Sequence, residues 1–84
     1  MNRWRVKWKA QALRDMTSIW NQAHNKTQVT KAAHQLEESL KRNPMTFGES
    51  RGGLRRMAFE KPLCIIFELI PDDEKVMVIN VLEW

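Results

Sequence analysis

Apolar residues change their spacing several times along the 84 residues, and each change marks an element. From Arg3 to Lys9 the chain alternates strictly, with Trp4, Val6 and Trp8 on one side and Arg3, Arg5, Lys7 and Lys9 on the other. A period of two built from aromatic and β-branched residues predicts a half-buried strand whose second face is cationic. From Ala10 to His24 the period lengthens. Leu13, Met16, Trp20 and Ala23 fall on one stripe of an amphipathic helix. Asn25-Lys26-Thr27 breaks it, with Asn25 or Thr27 as N-cap of a second helix. That helix carries Val29, Ala33, Leu36 and Leu40 inward, and Glu37–Lys41 and Glu38–Arg42 as i,i+4 pairs. Asn43 precedes Pro44 and is driven out of the α region, so the helix ends there. So short a connection predicts an antiparallel helical hairpin.

The stretch from Asn43 to Ile70 organises the rest. Met45 to Gly53 reads as a loop, lacking the lysine pattern of a phosphate-binding loop. Leu54 to Phe59 reads as a short strand with Leu54, Arg56 and Ala58 on one face. Arg55, Met57 and Phe59 form the bulkier face, expected inside, which leaves Arg56 on the open side. After a turn at Lys61-Pro62, Leu63 to Ile70 is apolar on both faces except at Glu68, the pattern of a central strand covered on both sides. Pro71 to Lys75 makes the next turn, and Val76 to Leu82 the antiparallel partner. The expected fold is α+β, in the order β-α-α-β-β-β: an N-terminal strand, an antiparallel helical hairpin, then a three-strand antiparallel meander. One sheet face is left less covered and available for a site.

Eighty-four residues make one small domain, spanning positions 1–84. Trp4, Trp8 and Trp20 are expected in its core. Fourteen Lys and Arg against ten Asp and Glu give a net charge of +4, which suits an anionic partner, either nucleic acid or an acidic protein. Cys64 is the single cysteine, so the domain holds no internal disulfide. It lies in an apolar run, where a thiol serves as a small hydrophobe. The N-terminal residues lack the apolar core of a signal peptide, and no apolar run reaches the ~20 residues of a membrane span. The expected location is the cytoplasm, with no membrane partner. His24 and His34 stand ten positions apart with no Cys or carboxylate cluster to complete a site, so neither a metal nor a cofactor is expected.

The element order, the length and the string NP…GESRGGLRR…PLCIIFEL…VMVINV resemble the RelE/ParE superfamily of small toxins from type II toxin–antitoxin pairs. The resemblance runs from Trp8 through Val81. It implies a cytoplasmic toxin neutralised by a cognate antitoxin with an acidic or partly disordered segment. It also implies one of two activities: ribosome-dependent mRNA cleavage, as in RelE-like members, or inhibition of DNA gyrase without nuclease activity, as in ParE-like members. The expected function is the first, a ribosome-dependent mRNA endoribonuclease; the alternatives are the gyrase inhibitor and a degenerate member that keeps antitoxin binding alone.

By the resemblance, Glu49 matches an acidic residue that some mRNA-cleaving relatives carry after the second helix. Arg51 and Arg56 match basic residues of the loop and second strand, with Arg55 beside them. A ribonuclease of this kind activates a ribose 2′-hydroxyl against the adjacent phosphate. Glu49 would be the base, with Arg51 and Arg56 on the developing phosphorane charge. Arg55, Arg3, Arg5, Lys7 and a stacking Trp84 would hold nucleic acid. Three departures weigh against cleavage. The third strand carries Cys64, Ile66 and Glu68 where many nucleases of the family have a basic residue. The chain reads Leu82-Glu83-Trp84 where they often have His, Tyr or Arg. Tyr is absent throughout, and no general acid is evident. Arg55 has an alternative role as the ion-pair partner of Glu68.

Overall fold

The computed structural model describes residues 3–84. The elements are β1 (Arg5–Trp8), α1 (Ala10–Gln22), α2 (Lys26–Arg42), β2 (Glu49–Ser50), β3 (Arg55–Glu60), β4 (Leu63–Ile70), a single 3-10 turn at Pro71–Asp73, and β5 (Lys75–Glu83). They build an α+β fold in which one five-stranded sheet has the order β1-β5-β4-β3-β2. The meander β3-β4-β5 is antiparallel, and β1 joins its far edge parallel to β5. The loop expected over Met45–Gly53 contains the two-residue strand β2, which pairs antiparallel with β3. Hydrophobic periodicity is silent on a strand of two polar residues, so nothing in the pattern marks it.

The helical hairpin covers one sheet face. Asn25 caps α2, its side-chain oxygen accepting from the Gln28 amide at 3.0 Å. Val29, Ala32, Leu36 and Leu40 of α2 are buried against Leu63, Ile65, Phe67 and Leu69 of β4 and Val76, Val78 and Val81 of β5. The first helix turns a different stripe inward from the expected one. Ala12 is fully buried, and Met16, Ile19 and Ala23 pack beside it. Leu13 is 53% exposed and Trp20 40% exposed, so Trp20 is not a core residue. Both stripes have helical spacing; the small Ala12 lets the helix lie close to the sheet, and the larger Leu13 is displaced outward. Trp4 and Trp8 do pack against the core, and the Trp8 indole donates to Glu37 at 3.0 Å. Glu38 pairs with Arg3 at 3.0 Å and lies 3.8 Å from Lys41, rather than with Arg42.

Two strand faces also differ from expectation. On β3 the smaller set points inward: Ala58 is buried in the core, whereas Phe59 is 42% exposed. Arg56 therefore lies on the helix side of the sheet, not the open side. The hairpin leaves little depth over β3, and Ala fits where Phe does not. On β4 only the helix-facing residues are fully shielded. Cys64 is buried on the opposite face, but Ile66, Glu68 and Ile70 are partly open.

A register shift between Ile66 and Phe67 leaves Ile79 without a partner on β4. Beyond Val78, β5 outruns the short β1, and α1 covers its free edge. Asp15 accepts there from the Val81 amide at 3.0 Å and from the Asn80 side chain at 3.3 Å.

Candidate functional site

Strand alternation collects one set of side chains on the sheet face away from the helices. Met57 faces Glu49 on one neighbour and Ile66 on the other; Phe59 faces Cys64, which faces Leu82. Arg5 and Lys7 of β1 lie on this face beside Lys75 and Met77 of β5. The open face thus has an apolar centre and a cationic margin.

Glu49 and Arg51 meet at one edge. Their charged groups are 3.5 Å apart, and Arg51 also approaches the Met57 sulfur at 3.4 Å. Glycines make the meeting possible. Gly48 has φ +76°, and a Cβ on it would overlap the Met57 carbonyl oxygen at 2.3 Å. Gly52 and Gly53, both at positive φ, turn the chain from β2 into β3. The Arg51 amide closes that hairpin on the Arg55 carbonyl at 2.8 Å. Both charged side chains are largely in water, with 65% of Glu49 and 46% of Arg51 exposed. An ion pair in that setting contributes little to stability and leaves both groups accessible.

The remaining residues picked out by the sequence go to different places. Arg56 donates from Nε to the Phe47 carbonyl and from Nη2 to the Gly48 carbonyl, both at 2.9 Å. Its guanidinium is committed to the backbone beneath β2, on the other side of the sheet from Glu49. Arg55 stays on the open face, 4.0 Å from Glu68 as its alternative role requires. The N-terminal cationic row divides. Arg3 reaches α2 and bonds Glu38, Arg5 reaches the Asp73 carbonyl at 3.4 Å, and Lys7 remains over the open face. The Arg3 guanidinium beside Glu38 holds that carboxyl below its usual range.

Trp84 closes one end of the open face. Its amide donates to the Pro62 carbonyl at 2.9 Å and its indole N–H to the Leu63 carbonyl at 3.0 Å. The ring meets Phe59 edge-on at 5.1 Å between centroids, and the Lys61 ammonium sits 5.4 Å above it. Even so, 57% of Trp84 is exposed, as is 47% of Leu82. Phe59, Leu82 and Trp84 form an exposed apolar patch that single-residue reading missed, because Phe59 is far in sequence from Leu82 and Trp84 and joins them only through the β3–β4–β5 register. Burial pushes the Cys64 thiol up, against a smaller opposing pull from Arg51, so the sulfur beside this patch is a neutral thiol at physiological pH. Among the described residues no helix is long and apolar enough to cross a membrane. No group of three or more His, Cys, Asp or Glu in them is placed to hold a metal ion.

No family model and no curated protein sequence matches the chain. Solved structures do. A chain of the toxin–antitoxin complex RelBE2 from Mycobacterium tuberculosis superposes with a TM-score of 0.81 at 14% identity, covering 100% of this chain and 94% of that one. A chain of the chromosomal ParDE system of P. aeruginosa gives 0.72 at 14% identity over 95% of each chain. The isolated E. coli RelE toxin gives 0.69 at 17% identity, over 95% of this chain and 83% of the other. RelE and ParDE structures thus match the same β-α-α-β-β-β framework, and the chain has the fold of the RelE/ParE toxins.

Proposed function

We propose that the protein is the toxin of a type II toxin–antitoxin pair, and that it acts by occupying a macromolecular target through the open sheet face rather than by cutting RNA. The fold supports the first half, since its neighbours include the RelBE2 and ParDE toxin–antitoxin systems. One observation carries the second half. The guanidinium of Arg56 is engaged by the Phe47 and Gly48 carbonyls, so Glu49 and Arg51 stand without a third group, over a face whose centre is Met57, Phe59, Cys64 and Ile66. Exposed aromatic and aliphatic side chains with a cationic rim bind a partner surface; they do not supply the acid that a leaving 5′-oxygen needs. A cognate antitoxin with an acidic segment matches the same rim, where Arg5, Lys7 and Lys75 would steer its approach.

The ribonuclease reading keeps one specific support, the exposed Glu49–Arg51 pair on the open face. A single set of assays separates the two. Purified protein is added to a cell-free translation reaction, the message is followed by primer extension, and gyrase supercoiling is assayed in parallel. Loss of translation or of supercoiling with an intact message is the expected result. Cuts within codons that disappear in a Glu49→Ala, Arg51→Ala variant would establish cleavage instead. Normal activity of both systems would remove the toxin reading.

A further inference from the structure

The ten carboxylates are unevenly spread. None lies between Met16 and Leu36, a run of 21 residues that forms the outer half of α1, the tip of the hairpin and the first half of α2. The same run holds Lys26, Lys31, His24 and His34, four hydroxyls and five side-chain amides. It also holds Trp20, turned outward although its stripe suggests burial. Between the helices at this end is a groove of about 560 Å³ lined by Trp20, Lys26, Thr27, Thr30, Lys31 and His34. The Trp20 indole donates to the Thr30 hydroxyl at 3.1 Å, which fixes the ring at the groove wall. Lys26 donates to the Asn21 and Ala23 carbonyls and brings its ammonium 5.0 Å from the indole centroid. Among the described residues Lys31 makes no ion pair.

We propose that this groove is a second binding surface, on the helical side of the molecule, and that it takes the backbone of single-stranded RNA. Local cations with no carboxylate among them favour a polyanion. Hydroxyls and amides between the cations suit phosphate oxygens and the ribose 2′-hydroxyl, the group that distinguishes RNA. A fixed, 40% exposed Trp offers a surface for one unstacked base. An acidic protein helix fits less well, because it needs an apolar floor and Trp20 is the groove's one apolar side chain. The surface is separate from the open sheet face and stands whether or not the toxin reading holds. Joined to that reading, it favours a target that contains RNA.

The test measures binding of purified protein to a fluorescein-labelled oligouridylate of twelve nucleotides across a salt series. The variants are Thr27→Glu with Lys31→Glu, Lys31→Gln, Trp20→Leu, and Arg42→Gln at the far end of α2. Circular dichroism checks that each is folded. The double variant should weaken binding at least tenfold at low salt, and Trp20→Leu about fivefold. Lys31→Gln should lower the slope of log affinity against log salt by about 0.7, the value of one phosphate contact on a single strand. Arg42→Gln should change affinity less than twofold. Equal losses in Arg42→Gln and Lys31→Gln would overturn the proposal, because net charge alone would then explain binding. So would absence of binding at low salt, equal affinity for the oligodeoxyuridylate, or tighter binding of a polyglutamate peptide that the double variant abolishes. None of these readouts uses growth arrest or target inhibition, so failure here is distinct from failure of the toxin reading.

Discussion

Arg56 lies under the strand that presents Glu49, its Nε 2.9 Å from the carbonyl oxygen of Phe47. Phe47 in turn stacks on the buried Phe67, with ring centroids 6.3 Å apart. A cation next to a candidate catalytic pair thus serves as a brace between the core and the β2 turn. Hydrogen bonds from a charged donor are worth about 1.5–3 kcal/mol where they are partly shielded from water. Arg56→Ala should destabilise the fold by about 1–3 kcal/mol in urea unfolding, and Arg56→Lys should recover only part of the loss, because one ammonium cannot reproduce two parallel bonds. A loss in target inhibition with unchanged stability would point to direct contact with the target instead.

Gly48 is the second fixed point of that turn. Any side chain there meets the Met57 carbonyl and must also hold φ at +76°. Gly48→Ala is expected to cost at least about 2 kcal/mol, from left-handed strain together with displacement of β2. For a domain of this size that lowers Tm by roughly 8 °C or more. Gly52→Ala is the control. Its φ is +101°, but nothing lies within 4 Å of the added carbon, so it carries the backbone strain alone. Equal losses in the two variants would show that contact with Met57 is unimportant.

The sequence pattern read the long elements well and the faces of the short ones poorly. Strict alternation placed β1, and the apolar run of Leu63 to Ile70 placed β4 at the centre of the sheet. The two helices carry signals over 13 and 17 residues, and Asn25 and Asn43 mark the start and end of the second. On β3 an alternating six-residue strand offers two faces, and side-chain size alone chose the wrong one. The depth left by the hairpin decided the matter, and that depth is a tertiary quantity. The same inversion put Arg56 on the helix side of the sheet instead of the open side, with its guanidinium on the Phe47 and Gly48 carbonyls. The Phe59–Leu82–Trp84 patch was hidden for a related reason, since it exists only through register.

The inward stripe of α1 can be tested directly against the one expected from spacing. Ala12 is fully buried and Leu36 is 1% exposed in the facing helix, whereas Leu13 is 53% exposed. Leu36→Ala should cost about 2–5 kcal/mol through lost transfer energy and an unfilled cavity. Leu13→Ala should stay within about 0.5 kcal/mol of the parent, as an exposed substitution does. Ala12→Leu should be worse than Leu13→Ala, because overpacking a closed site forces backbone shifts. Chemical denaturation of the three variants checks the order. A large loss from Leu13→Ala would restore the stripe of Leu13, Met16 and Trp20 as the buried one.

Asp15 makes the stability of the fold depend on acid. Its carboxylate accepts first from the Val81 amide, then from Gln11 and Asn80, and these bonds hold its pKa below the ordinary aspartate value of 3.8 despite an opposing desolvation. The folded state therefore binds the proton more weakly than the unfolded state does. Stability from this group is fully present above the unfolded value, near 3.8, and is lost as pH falls through that value and then the lower folded one. Asp15→Asn keeps an oxygen acceptor for the Val81 amide and cannot titrate. It should cost about 1 kcal/mol at neutral pH, where a charged acceptor is replaced by a neutral one. The deficit against the parent should then shrink as pH falls below about 4, because the parent loses its charge there as well. Unfolding curves at neutral pH and through the acid range measure that difference. A deficit that stays constant with pH would mean that the carboxylate charge at the β5 edge contributes nothing, and that the oxygen alone holds α1 to the sheet.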